Sequence, residues 1–265
     1  MAEKEVCMFK ARTNEGYLFK VLTELLLNNI KTACFVLNDE GITLRMTDNL
    51  KKTLIDIKLD YVNFQIYKYR YTSNKMIGLN LSHLYKMLKS IKKKDTVELF
   101  IMENDNNNIG IKIIPKDNTR VTTSFVKIQH IQNININLPF KYDKPIIIPS
   151  SDYQKMIKDM ISIGNSINID SYGNVLKFTC IADGIYSRQV EYGTNDDDDD
   201  EYNLISDRFY SEQLYKLIKL SGLGTKLYIH VSPNNPLLIK CNIGSLGYIN
   251  IYLKSIEQIK NDDLN

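Results

Sequence analysis

Cysteine, histidine and proline are scarce in this 265-residue sequence, with four, three and six copies. The cysteines (Cys7, Cys34, Cys180 and Cys241) stand far apart and form no CxxC pair. That spacing speaks against a zinc ribbon or a disulfide frame and fits free thiols in a reducing compartment. The histidines (His83, His130 and His230) share no metal-ligand spacing. No apolar run approaches the length of a membrane span, and the opening MAEKEVC lacks the apolar core of a secretion signal. The expectation is an intracellular, soluble protein with no membrane partner, no metal and no cofactor. No GxGxxG, Walker loop, HExxH or nucleophile elbow is present either, so the chain is not expected to be an enzyme.

Negative charge is unevenly spread. The run NDDDDDE (195–201) holds six of the 31 acidic residues. With that run set aside, the 34 basic residues leave an excess of about nine positive charges. Such a balance is compatible with a nucleic-acid partner. Consecutive carboxylates do not preorganise a coordination sphere, so the run reads as a solvated loop. A nuclease built on it is the rival reading, but no paired base, nucleophile or metal cluster accompanies it.

Helical periodicity is clear in four places. A first helix spans about 16–29, with Leu18, Val21, Leu22 and Leu25 at core spacing. A second begins at Ser82 as N-cap and places Leu84, Met87, Leu88 and Ile91 on one face. A third starts near Ser150 or Ser151 and buries Tyr153, Met156, Met160 and Ile163. A fourth starts near Ser211 and uses Leu214, Leu217 and Ile218. Between them run short β-branched segments broken by Asn, Asp and Gly, as antiparallel strands should be. The fold class is therefore α+β.

The chain also repeats itself. LYKMLK (84–89) returns as LYKLIK (214–219), and TVELFI and KLYIHV follow at the same distance from each. IGIKI and LLIKC come next in the two halves. Internal duplication of one α+β unit explains the order. On a wheel of 100° per residue, Lys86 and Lys89 oppose the apolar face of the second helix, and Lys216 and Lys219 that of the fourth. Lys155 and Lys158 do the same in the third, and Lys20 in the first. The two LYK helices carry no acid over 82–94 or 213–226, unlike ordinary solvated faces, which mix Lys with Glu. Such faces offer point charges to phosphates without the arginine fork that reads bases. They suit sequence-independent contact with double-stranded DNA.

Taken together these stretches resemble the proliferating cell nuclear antigen (PCNA) family of DNA sliding clamps. MFKARTNEGYLFKVLTELL (8–26), GITLRMTD (41–48), IGLNLSHLYKMLK (77–89) and NPLLIKCNIGSLGYINIYL (235–253) are similar to family segments, in order, over roughly 8–256. The resemblance implies an extension (1–7), a clamp domain (8–128), a connector (129–143), a second clamp domain (144–259) and a tail (260–265). Each domain has antiparallel sheets and two helices, and three identical chains join head to tail into a ring with the helices lining the hole. The expected function is a processivity factor for DNA polymerase and a docking platform for the clamp loader and other proteins with PCNA-interacting peptides. The DNA-facing residues would be Lys20, Lys86, Lys89, Lys155, Lys158, Lys216 and Lys219.

Matched positions place the partner-peptide pocket at Thr47, Asp48, Lys51, Lys52, Leu138, Pro139, Pro236, Tyr252 and Lys254. They place the subunit joint at Arg120, Thr122, Ser124, Val126, Tyr186, Arg188 and Val190, with Asp152 and Asp159 beside it to meet a neighbour's Lys86 or Lys89. Thr47, Lys51 and Lys52 depart from the family's Met, His and Val at the pocket rim, and Lys254-Ser255 replaces Ala-Pro. The alternative within the fold is a subunit of a heterotrimeric checkpoint-like clamp or a viral transcription factor. The Lys/Asn/Ile-rich spelling points to an AT-rich genome, and the divergence from the family pattern to a protist or a large DNA virus. Localisation would be the nucleus, or a cytoplasmic replication site for a virus.

Overall fold

The computed structural model describes residues 6–117, 119–131, 136–138, 142–182, 184–194 and 203–263. Pro139 and the acidic run 195–201 lie outside the described residues. The chain forms two compact units: Met1–Met46, Asp56–Ile136 and Asn242–Ile249 make unit 1, and Thr47–Ile55, Asn137–Cys241 and Asn250–Asn265 make unit 2.

Unit 1 starts with β1 (Cys7–Thr13) and α1 (Gly16–Leu27), followed by β2 (Thr32–Asn38), β3 (Gly41–Thr47), β4 (Thr53–Asp60), β5 (Ile66–Tyr69) and β6 (Lys75–Asn80). Then come α2 (Leu81–Leu88), β7 (Thr96–Met102), β8 (Asp105–Ile114) and β9 (Thr122–Lys127). One sheet has the order β5-β1-β7-β8-β9, and a second run has the order β4-β3-β2-β6. Alternation sets the faces: in β1, Phe9, Ala11 and Thr13 are buried while Cys7, Lys10 and Arg12 are half-exposed. Leu25, Leu26, Leu81 and Leu88 of the helices close the core from the other side. Each such side chain contributes about 1.5–3 kcal/mol by leaving water.

Unit 2 repeats the plan with β10 (Ile146–Pro149), α3 (Ser150–Met160), β11 (Ser166–Tyr172), β12 (Val175–Ala182), β13 (Tyr186–Tyr192) and β14 (Ile205–Tyr210). It continues with α4 (Ser211–Tyr215), a 3-10 helix (Ile218–Gly222), β15 (Lys226–His230), β16 (Leu237–Ile243), β17 (Gly247–Leu253) and α5 (Ile256–Asp263). Its orders are β10-β15-β16-β17 and β13-β12-β11-β14. These match β1-β7-β8-β9 and β4-β3-β2-β6, with α1 and α3 leaving the first strand of each and α2 and α4 entering β7 and β15. The duplication read from the LYK repeats is thus a duplication of topology, and the α+β expectation is met.

Four local expectations need correction. Asn80, not Ser82, caps α2: its Oδ1 accepts the His83 N–H at 3.0 Å, because the chain turns helical at Leu81, which must point into the core. α1 ends at Leu27 and α3 at Met160, so Ile163 falls past the helix and is half-exposed. The fourth helix is not one α-helix: the α-helical part ends at Tyr215, and Leu217, Leu220 and Leu223 then bond three residues back. Finally, α5 is a fifth helix that the periodicity did not reveal. Its Ser255 and Gln258 bond each other's backbone N–H, at 3.3 and 2.9 Å, in a capping box. Among the described residues no helix is long and apolar enough to cross a membrane.

Candidate nucleic-acid and partner interfaces

In unit 1 the lysines sit on two packed helices. Lys86 and Lys89 are exposed on α2, and Lys92, Lys93 and Lys94 are exposed in the turn that follows. Lys20 of α1 is half-exposed and occupied: its Nζ donates to the Lys89 carbonyl at 2.9 Å and lies 5.6 Å from the Tyr17 ring centroid. A cation on the last carbonyls of α2 satisfies a group the helix leaves open and opposes the helix dipole. Lys20 therefore ties α1 to α2 as well as adding charge beside Lys86 and Lys89.

Unit 2 makes the same joint differently. Tyr153 of α3, fully buried, donates its hydroxyl to the Leu214 carbonyl at 2.9 Å, and Gln154 Nε2 donates to the Ile218 carbonyl at 3.0 Å. Burial pushes the Tyr153 hydroxyl pKa well up, so it stays a donor. Lys155 and Lys158 are exposed on the other side of α3. Lys219 is half-exposed in the 3-10 helix. Lys216 is also half-exposed, and its Nζ lies 3.1 Å from Glu212 Oε1 one turn earlier. That pairing was missed because the acid-free stretch was counted from Gln213, one residue too late. Among the described residues Lys86, Lys89, Lys155 and Lys158 have no carboxylate in ion-pair range.

Both expected joint strands lie at sheet edges: β9 beyond β8, and β13 beyond β12. Thr122 and Ser124 are half-exposed on β9, and Arg120 is exposed just before it. Val126 is only 4% exposed and points into the unit 1 core, so it could offer a neighbour backbone alone. On β13, Tyr186 and Arg188 are exposed and Val190 is half-exposed. Asp152 is half-exposed in the first turn of α3. Asp159 is committed within the chain, its carboxylate 2.7 Å from Arg188 Nη1. Phe125 (57% exposed) and Ile185 (82%) fall within the edge segments 120–128 and 185–192 expected from the sequence but were not singled out as joint residues, and Ile181 (56%) was missed. For Phe125 the available signal was a large apolar side chain on the edge strand β9 whose alternate neighbours, Thr123 and Lys127, are polar.

The partner-pocket residues described all belong to unit 2. Asp48 Oδ1 accepts the N–H groups of Lys52 (2.7 Å) and Thr53 (3.0 Å), closing a turn in which Lys51 takes a φ of 52°. Thr47 is half-exposed at its start. Lys52 accepts the Lys254 N–H at 3.0 Å and sets its ammonium 5.3 Å from the Tyr210 ring centroid. Lys254 Nζ pairs with Asp262 of α5. The structure thus brings Asp48, Lys51, Lys52 and Lys254 together. A second group forms around Tyr142, whose hydroxyl donates to the Pro236 carbonyl at 2.9 Å and whose ring stands 6.2 Å from Tyr252. Tyr252 is buried, while Leu138 is half-exposed. Among the described residues no group of three or more His, Cys, Asp or Glu could hold a metal ion.

Comparison with known proteins adds a family. Residues 8–136 match the family model for the proliferating cell nuclear antigen N-terminal domain, and residues 136–256 match that for its C-terminal domain. A protein of Paramecium bursaria Chlorella virus 1 described as "Probable DNA polymerase sliding clamp 1" is 25% identical over 257 residues, spanning 94% of this chain and 97% of its own. Proliferating cell nuclear antigen of Chaetomium thermophilum is 24% identical over 254 residues, spanning 93% and 97%. That of Dictyostelium discoideum is 24% identical over 255 residues, spanning 93% and 98%.

Proposed function

This chain belongs to the proliferating cell nuclear antigen family and is a DNA sliding clamp, and from that premise we propose that three copies close head to tail into a ring around duplex DNA. The observation that carries the reading is the repeated unit, which sets a lysine-bearing helix pair beside an edge strand in each half. Addition of one copy's β13 to another's β9 would cover Phe125, Ile181, Ile185 and Tyr186 and pair the open backbone groups of both edges. Such joints are heterologous, and they form a closed ring only when the rotation closes.

The mechanism is topological rather than catalytic. A ring cannot leave duplex by breaking one contact, so weak, sequence-independent lysine–phosphate contacts suffice and sliding stays fast. A polymerase tethered to it keeps a high effective concentration at the primer end. DNA and DNA polymerase are the partners of this activity. Further partners, a clamp loader among them, dock a short peptide at Thr47, Asp48, Lys51, Lys52, Leu138, Pro139, Pro236, Tyr252 and Lys254. The lysines there select peptides with acidic flanks. The site of action is the nucleus, or a cytoplasmic replication site if the chain is viral.

The test is the absolute mass of the purified chain in solution across protein concentration and salt, followed by a polymerase processivity assay. A mass near three times 30.7 kDa, lost in an I185K/F125K variant, is expected. A chain that stays monomeric with and without DNA refutes the self-sufficient ring and turns the search to sister subunits.

A further inference from the structure

The first sheet of unit 1 carries a second basic surface, on the side its helices do not use. Phe9 of β1, Leu99 of β7 and Ile109 of β8 face Leu22 and Leu26 of α1 and Leu84 and Leu88 of α2 across the core. Side chains alternate along a strand, so Lys10, Arg12 and Glu98 point the other way. That outer side is turned away from a duplex lying on the lysine faces of α1 and α2. At its end Arg12 lines an open cleft of about 470 Å³ with Lys93 and Lys94 of the turn after α2 and Lys116 of the loop after β8. None of the described residues lining it is acidic.

These four cations are not neutralised from within the unit. Lys93, Lys94 and Lys116 are exposed, and neither they nor Arg12 pair with a described carboxylate. Glu98 stands directly across from Arg12 on β7, but the Lys10 ammonium takes it at 3.1 Å. The Arg12 Nε is left buried without a hydrogen-bond partner. Like charges gathered in one cleft repel one another unless an anion lies among them. A guanidinium with an unused Nε edge suits an acceptor with two oxygens. The excess continues next door, where an adjoining cleft shares the three lysines and adds Lys92 and Arg120 against two acids. Both acids are engaged: Asp95 and Asp117 accept the N–H groups of Lys92 and Thr119 at 2.9 and 3.1 Å.

The lining decides which anion fits. Neither cleft offers an aromatic ring on which a base could stack, which speaks against single-stranded nucleic acid. Ile114 and Pro115, both half-exposed, instead give the smaller cleft an apolar wall. Carboxylates beside an apolar side chain match that mixture, and the volume suits a short peptide stretch rather than one small ion. We propose that the cleft of Arg12, Lys93, Lys94 and Lys116 docks an acidic peptide segment of a partner protein. Arg12 forks onto one carboxylate and the lysines hold its neighbours. Unit 1 alone builds this cleft, apart from the unit 2 residues assigned above to partner peptides, and it forms whether or not a ring closes.

The experiment follows labelled probes by fluorescence anisotropy against the full-length chain at about 0.1 M and about 1 M salt, where the Debye length falls from about 10 to about 3 Å. The probes are a short peptide of glutamates around a central leucine, the same peptide with glutamine for glutamate, and a short thymidine strand. The proteins are the natural chain, K93E/K94E/K116E, R12K and, as a reference, K86Q/K89Q/K155Q/K158Q. At low salt the natural chain and the reference are expected to bind the glutamate peptide at least about tenfold more tightly than K93E/K94E/K116E does. The glutamine peptide should bind the natural chain weakly by the same factor, and both gaps should narrow at high salt. R12K keeps the charge without the fork and should lose several-fold. It also reads the site should the triple variant fail to fold. Equal binding of the two peptides, or full binding by both cleft variants, overturns the docking site. Loss of the glutamate peptide by the reference and not by the cleft variants overturns it in favour of the helix faces. A thymidine strand that binds more tightly than the glutamate peptide and is lost with the cleft lysines overturns it in favour of nucleic acid.

Discussion

The lysine faces make a quantitative prediction on short linear duplex, where threading cannot hide a weakened contact. Lys86 and Lys89 on α2 and Lys155 and Lys158 on α3 are exposed with no described carboxylate partner. Lys20 is bound to the Lys89 carbonyl and Lys216 to Glu212. Changing the four unpaired lysines to Gln keeps length and helix propensity while removing charge. Each lysine that neutralises a phosphate contributes about 0.9 to the slope of log affinity against log salt. Losing four per copy in contact with DNA therefore flattens the slope by about 3.6. Between about 0.05 and about 0.2 M salt the natural protein should lose about a hundredfold more affinity than the variant does. Fluorescence anisotropy of a labelled duplex at several salt concentrations measures it. Glu212→Gln gives the opposite sign, freeing Lys216 and steepening the slope by about 0.9. An unchanged slope in the four-lysine variant would refute the assignment of these faces to DNA.

Two further outcomes concern stability. Asn80→Ala removes the cap of α2 and should cost about 1 kcal/mol in urea unfolding, while Asn80→Asp, which keeps an acceptor at the positive helix end, should cost little. Equal losses in both would show that the cap does not matter. His230 is buried with Nδ1 2.7 Å from the Asp143 carbonyl, and burial pushes its pKa below the ordinary value of 6.5. The unfolded chain therefore takes up this proton at higher pH than the folded one. The associated stability is complete above about pH 6.5 and is lost as pH falls through the window below it. His230→Gln should remove that part of the pH dependence, and urea midpoints at about pH 7.5 and about pH 5.5 in both proteins measure it.

How much could be read from the sequence depended on which residues carried the signal. The α2 stripe Leu81, Leu84, Leu88 and Ile91 alternates steps of three and four, so its periodicity was clear. Leu217, Leu220 and Leu223, all buried, are spaced by three each time, the step of a 3-10 helix. The leucines were visible, but the even spacing that distinguishes the two was passed over in favour of the LYK match. Edge strands were legible by resemblance because β9 and β13 keep their order along the chain. Which side chain faces out was not legible, since Val126 and Phe125 are both apolar and only the pleat decides between them. Contacts such as Lys20 to Lys89 and Arg188 to Asp159 join residues far apart in sequence, and no local pattern encodes them.

The division of the chain into units has a consequence for synthesis. Unit 1 takes in Asn242–Ile249, a segment made more than a hundred residues after Ile136, where the rest of that unit ends. Within it Leu246 accepts the Asp60 N–H at 3.0 Å, Ser245 donates its hydroxyl to Glu15 at 2.6 Å, and Gly247 comes so close to the Lys58 carbonyl that a Cβ there would lie 1.9 Å from it. A nascent chain translated at roughly 5–20 residues per second thus carries an incomplete first unit for many seconds, until residue 249 clears the ribosome. Its first half is not a self-contained module to be expressed alone.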